Sequence, residues 1–236
     1  MRSALRNGWG AEMAHASLAA LVLLNAREAG QRDGLRARIS GLVANAANGI
    51  VGGASLGDEF LTGSAHGTVL AGQVLFDFML FASNFTPAVE QGLAEFTGVA
   101  ADAIAPAASA VIVGHQRHQA EGKEKLFWVM PWRRCAHLTT THAQDYWHDV
   151  HGKLVTRRDS RNGYRQLHAD HAESARLARK LGIGQADYDG SVVTHCPSVE
   201  WMQAAVASDF VRDVALIDEQ RFIDHRRSTF QAFEPL

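Results

Sequence analysis

The hydrophobic positions of this chain fall into two successive sets of short apolar runs, each interleaved with stretches of helical period. In the second set, residues 125–132 form an apolar run of strand length. Ala143, Tyr146, Trp147, Val150 and Leu154 then recur at intervals of three and four, the stripe of an amphipathic helix. Thr139 stands before that stripe as a hydroxyl cap, and His151 lies on it. Gly152 reads as the stop, because glycine accepts the left-handed conformation that closes many helices. Asn162-Gly163 signals a turn, and residues 164–171 alternate as a half-buried strand does. A short helix at 174–181, a strand at 191–196, a helix opened by Pro197-Ser198 and a last strand at 229–233 complete the set.

The first half repeats this order. Residues 17–24 suit a strand, 32–46 a helix, 55–61 and 68–81 strands, 86–103 a helix opened by Thr86-Pro87, and 108–114 a strand. With the short helix at 174–181 set aside, each half thus reads strand, helix, strand, strand, helix, strand. The expected architecture is an α+β chain of two ferredoxin-like split β-α-β units, 1–118 and 119–236, with residues 115–123 as linker. A sheet with both helices on one face must bury its other face. Two such sheets in one chain can cover each other as an intrachain barrel with helices outside, and the space between the sheets is then the expected ligand site.

At 236 residues and 47% hydrophobic content the chain can bury a full core. Its 23 basic and 25 acidic side chains create no field that would gather nucleic acid or an anionic membrane, so neither partner is expected. Cys135 and Cys196 have neither metal-finger nor redox-pair spacing, which points to a reducing, cytoplasmic setting. Residues 14–24 are apolar, but Glu12 and His15 interrupt the approach and Asn25-Ala-Arg-Glu is a poor exit. A buried strand fits this stretch better than a secretory signal.

Three patches resemble the EthD family, within the dimeric α+β barrel superfamily. They are Leu138-Thr139 leading to Tyr146-Trp147 and Val150-His151-Gly152; Tyr164 and Gln166 followed by His168; and Asp189-Gly190 followed later by Arg221-Phe-Ile-Asp224. Lys153, His142 and His195 depart from the family's usual residues. In the superfamily, chains of half this length pair so that two sheets form one barrel, and the resemblance implies that this chain does so internally. Superfamily chemistry is diverse, covering lactone isomerases, cyclases, dehydratases, cofactor-free oxygenases and haem enzymes, so the resemblance does not select a reaction.

Twelve histidines supply the candidate chemistry. Tyr164, Gln166 and His168 share one strand face, as do Ser191, Val193 and His195 on the next strand. If Tyr164, His168 and His195 all line the face away from the helices, they converge with His151 as a proton-handling cluster. Imidazole titrates near neutrality, so one histidine can take a proton alpha to a carbonyl while a tyrosine donates to the developing enolate. His151, His168, His195 and Tyr164 are therefore the candidate catalytic residues. Trp147, Gln166, Asp77 and Phe127 are the candidate substrate contacts, with Gln73 and His66 near Asp77. Each singly has a plain alternative, a hydrogen-bonded core histidine or an edge aspartate. The HxxH pairs His148/His151 and His168/His171 lack a completing ligand set, so neither a metal nor an organic cofactor is expected. Asp218, Glu219 and Arg221 read as the solvated face of a helix. The expected activity is a cofactor-independent lyase, dehydratase or isomerase acting on a small apolar, aromatic or cyclic catabolite, with a homodimer as the assembly. The alternatives are a cofactor-free monooxygenase and a non-catalytic small-ligand-binding barrel.

Overall fold

Eight strands close on themselves in the computed structural model, which describes residues 18–45, 49–57, 75–118, 126–156 and 163–236. The first half supplies β1 (Leu18–Leu24), β2 (Ile50–Ser55), β3 (Phe78–Ala82) and β4 (Ala110–His118). The second half supplies β5 (Leu126–Trp132), β6 (Tyr164–Ala169), β7 (Gly190–Cys196) and β8 (Gln231–Pro235). Around the barrel the order is β1-β3-β2-β8-β5-β7-β6-β4, with β4 returning to β1 and neighbours antiparallel. Within each half the outermost pair is the last strand beside the first, so both halves share one strand order. The halves join edge to edge, through β2–β8 and β4–β6, which leaves no open sheet edge to template foreign pairing.

Strand alternation sorts the side chains into two layers. Leu21, Leu23, Met79, Phe81, Ile112, Val129, Leu167, Val193 and Phe233 fill the barrel. The intervening residues face helices. On the first half, Val22, Leu24, Leu80, Val111 and Val113 pack against α1 (Arg32–Ala44) and α2 (Pro87–Val99). A third helix joins them from the other half. The helix α5 (His171–Leu181), between β6 and β7, buries Leu177 and Leu181 in this same cluster. Ser174 there both accepts from the Val113 amide at 2.9 Å and donates to its carbonyl at 3.1 Å. Arg176 and Lys180 of α5 grip Glu90 of α2.

The outer face of the second half is covered differently. Thr139 caps α3 (Thr140–Tyr146) as expected, its hydroxyl accepting from the His142 amide at 3.2 Å. The helix then widens into a π-helical turn at Trp147–His151 and continues as α4 (Gly152–Thr156). Gly152 is therefore not a stop. It takes right-handed helical angles, and the wide turn before it carries the chain onward. Next come α6 (Val199–Val206), capped by Ser198, a second π-helical turn at Val211–Ala215, and α7 (Leu216–Glu219).

Two further expectations are corrected. The second strand is found at Ile50–Ser55, ahead of the expected 55–61, with Gly52-Gly53 inside it, and residues 58–61 lie outside the described residues. A Cβ on Gly52 would meet the Val43 side chain at 2.7 Å, and one on Gly53 would meet Phe233 at 2.8 Å, so packing excludes larger residues there. β4 also runs to His118, through part of the expected linker, because it pairs with β6 to close the barrel. At that seam Gly114 lies so close to β6 that a Cβ would stand 1.8 Å from the His168 carbonyl oxygen. The expected strand residues 58–74, with His66 and Gln73, lie outside the described residues. Among the described residues no helix is long and apolar enough to cross a membrane.

Candidate functional site

A cavity of about 470 Å³ opens between the outer face of the second-half sheet and its helices. The sheet contributes Trp128, Met130, Val192, Thr194 and Tyr164, which alternate outward on β5, β7 and β6. Trp201 from α6, and Phe210 and Val211 at the second π-helical turn, form much of the opposite wall. The polar groups in this mostly apolar wall include His151, Tyr164, Thr194 and Glu219. Among the described residues this cavity lies between sheet and helices, while apolar side chains pack the barrel interior where a ligand site was expected.

His151 ends the first π-helical turn and is buried. Its Nδ1 lies 2.9 Å from Oδ2 of Asp218, and its Nε2 lies 3.7 Å from Oε1 of Glu219. Asp218 also accepts from the Tyr146 hydroxyl at 2.6 Å. The His151 hydrogen bond holds the Asp218 carboxyl below the usual carboxylate range, against the opposing effect of burial. An ionised Asp218 can only accept, so His151 Nδ1 carries a proton and Nε2 is the basic nitrogen, on the side of Glu219. The other Glu219 oxygen meets Nε2 of the buried His225 at 2.9 Å.

Tyr164 enters the same cavity from β6. Its hydroxyl oxygen accepts from the Trp147 indole at 3.1 Å, and the Gln166 amide stands 3.5 Å away. Burial pushes its pKa up to about 12, so the phenol keeps its proton at neutral pH. Behind it, Gln166 donates to the Trp147 carbonyl at 3.0 Å, which leaves the amide oxygen to accept from His168 Nε2 at 3.2 Å. His168 stacks on Trp147 with ring centroids 4.7 Å apart. Burial, then the nearby Arg117, His148 and His115, hold its pKa well below the usual imidazole value. His168 is accordingly neutral at pH 7.

The expected convergence is corrected by strand parity. Tyr164, Gln166 and His168 face the helices, not away from them, while His195 points to the opposite side of the sheet. His195 packs on Phe127 with centroids 4.8 Å apart, and Phe127 belongs to the barrel-filling cluster. Of the predicted residues, His151 and Tyr164 line the cavity, and Trp147, Gln166 and His168 form the layer behind them. Asp77 lies in the other half, accepting from the Ala26 amide at 2.9 Å and pairing with Arg32 at 3.3 Å. Asp218 and Glu219 are buried and turned toward His151, contrary to the solvated-face expectation. The second π-helical turn rotates this short segment inward, and an unbroken helical period does not register that rotation. The one sequence signal was their place just before Arg221-Phe-Ile-Asp224.

A stretch of the C-terminal half is similar to the EthD domain family. Residues 136–226 match the model of that family, a span that includes His151, Tyr164, Asp218 and Glu219. No curated protein matches the chain in sequence. Several solved structures share the fold. A chlorite dismutase variant from Candidatus Nitrospira defluvii, in complex with cyanide, has a TM-score of 0.51 at 13% identity over 94% of this chain and 92% of its own. A candidate monooxygenase from Lactobacillus acidophilus has a TM-score of 0.52 at 7% identity, covering 93% and 94%. A candidate chlorite dismutase has a TM-score of 0.52 at 9% identity over the same shares.

Among the described residues no group of three His, Cys, Asp or Glu side chains is arranged to hold a metal ion.

Proposed function

We propose that the chain is two tandem ferredoxin-like units, 1–118 and 119–236, whose second unit catalyses proton transfer on a small, largely apolar cyclic or aromatic molecule. A dehydratase, lyase or isomerase reaction belongs to this class. The carrying observation is a His–Asp pair and a protonated phenol on the wall of one apolar cavity. The EthD match over the same residues, with the barrel fold, supports a small-molecule enzyme or binder at the coarser level.

Asp218 holds the proton on Nδ1 of His151 and directs the basic Nε2 toward the cavity side, where it takes a proton from carbon alpha to a ligand carbonyl. The enolate oxygen that develops accepts from the Tyr164 hydroxyl. Trp147 and Gln166 direct N–H groups at that phenol oxygen, so its own proton is the one left to donate. His168 is here a positioning residue, holding Gln166 through its amide oxygen. The aromatic walls suit a planar ligand, and a cavity of about 470 Å³ lies within the usual range for small-molecule sites.

The test is deuterium incorporation from D2O into a panel of cyclic 1,3-diketones and hydroxyaryl ketones, followed by NMR. Exchange is expected in the wild type, falling by about 10²–10⁴ in H151Q and by a smaller factor in Y164F. Exchange that persists in H151Q overturns the mechanism. Turnover that requires oxygen would replace it with the monooxygenase reading, and binding without exchange with the sequestering one. Sedimentation of the same preparation tests the homodimer.

A further inference from the structure

The cavity has a back wall, and on its far side lies a second, polar cleft of about 390 Å³. Cys135, Gln220, Asp224, His225 and Arg226 line it. Two buried side chains separate the two spaces. Glu219 lines the main cavity, and one of its oxygens is 3.7 Å from His151 Nε2. Its other oxygen is 2.9 Å from His225 Nε2, and His225 belongs to the wall of the cleft. A carboxylate shared by two imidazoles, one at each space, is more than core packing requires, since burying such groups is costly unless each is paired.

We propose that Glu219 and His225 form a proton relay that connects the catalytic cavity to solvent in the second cleft. The inference rests on the proton-transfer reading and extends it to a route that stays open when an apolar ligand fills the cavity and excludes water. The step moves one proton and no electrons. A hydronium ion in the cleft gives its proton to Nδ1 of His225 and is left as water, the Nε2–H bond of that ring breaks, and the hydrogen joins Oε2 of Glu219, turning carboxylate into carboxylic acid. Rotation of the carboxyl group then presents this proton to His151 Nε2 or to the ligand. Glu219 touches the cavity and is the group that delivers the proton, while His225 acts through it. The geometry also explains why two acids stand side by side at 218 and 219: Asp218 orients His151, and Glu219 exchanges protons with it.

The relay can be tested without a substrate. The full chain, labelled with 15N-histidine, is closed at the cavity by A205F, which adds a ring to the cavity's own wall, and exchange of the His151 ring protons with water is followed by NMR at a pH where that ring is protonated. The added H225Q change keeps a hydrogen-bonding amide beside Glu219 but cannot carry a proton. His151 exchange is expected to slow at least about five-fold in A205F/H225Q relative to A205F, and E219Q to act likewise. Unchanged exchange in the double variant overturns the relay and leaves His225 a structural partner. Should A205F not fold, saturating 1-naphthol closes the cavity of the wild type and of H225Q, with its entry read from tryptophan fluorescence. Naphthol entry together with equal exchange in the two chains overturns the relay. Because no turnover is measured, this result is independent of the D2O test above.

Discussion

The two halves share a strand order but differ in what lies between sheet and helix. On the first half, Val22, Leu80, Val111 and Val113 meet Leu35, Ile39, Leu93 and Leu177 in a continuous, mostly aliphatic layer that also holds Phe78 and Phe96. On the second half the same layer is built from Trp128, Trp201, Phe210 and Phe230 around an opening. Helix count explains much of this. The first sheet is covered by α1, α2 and the borrowed α5, whereas the second lends α5 away and is covered by helices interrupted by two π-helical turns. Small aliphatic residues on regular helices close a gap. Large rings on widened helices hold one open and present His151 and the Asp218-Glu219 pair to it. One half is thus a closed scaffold, and the other borders a cavity.

Truncation separates the two layers most strongly. Leu177→Ala removes a fully buried side chain from the solid layer and is expected to cost about 2–5 kcal/mol in urea unfolding. Val155→Ala at the cavity wall is expected to cost under about 1 kcal/mol, since its neighbours already border empty space. Equal losses would break the contrast. Enlargement should invert it: Ala100→Leu, at a fully buried site in the first half, is expected to cost about 1–3 kcal/mol. Ala205→Phe should cost less than about 1 kcal/mol by filling space that exists. Trp147→Phe removes the indole donor to Tyr164 and is expected to cost about 1 kcal/mol, with a larger loss of D2O exchange than of thermal stability.

The smallest effect is a pH dependence. The folded-state pKa of His168 is depressed, so the unfolded chain binds more protons below the ordinary imidazole value near 6.5. Its contribution is present above that pH and declines as pH falls toward the folded value. His171 has the opposite sign, because the Asp189 hydrogen bond raises its pKa, and its contribution is lost as pH rises through the folded value. H168Q should accordingly reduce the fall in Tm between pH 7.5 and 5.5, and H171Q should steepen it. Melting curves of the two variants at both pH values check the signs.

Much of the fold was legible in the residue pattern. The capped helix at Thr139, the Thr86-Pro87 start and the order of elements in both halves follow from local chemistry and appear as expected. His151 and Tyr164 were also legible, one from an apolar helical stripe and the other from strand alternation. Alternation says which residues share a face, however, and not which face meets the helices. Tyr164 and His168 were placed on the wrong side for that reason, and His195 was grouped with residues that lie across the sheet from it. Asp77, a candidate substrate contact with an edge aspartate as the alternative, is bound by a backbone amide and Arg32. Asp218 and Glu219 were invisible as site residues because a π-helical turn breaks the period that sorts buried from exposed.

Periodicity, capping and turn chemistry are short-range, so the chain alone determined two similar sets of strands and helices and one histidine on a core-facing stripe. Tertiary structure decided the rest. Closing eight strands edge to edge filled the barrel, left a cavity on the helical side of one half, and brought Asp218 and Glu219, with His225 behind Glu219, to His151 across more than sixty residues. Such contacts depend on which faces and which widened turns end up opposed, and that information is carried by packing rather than by any local stretch of sequence.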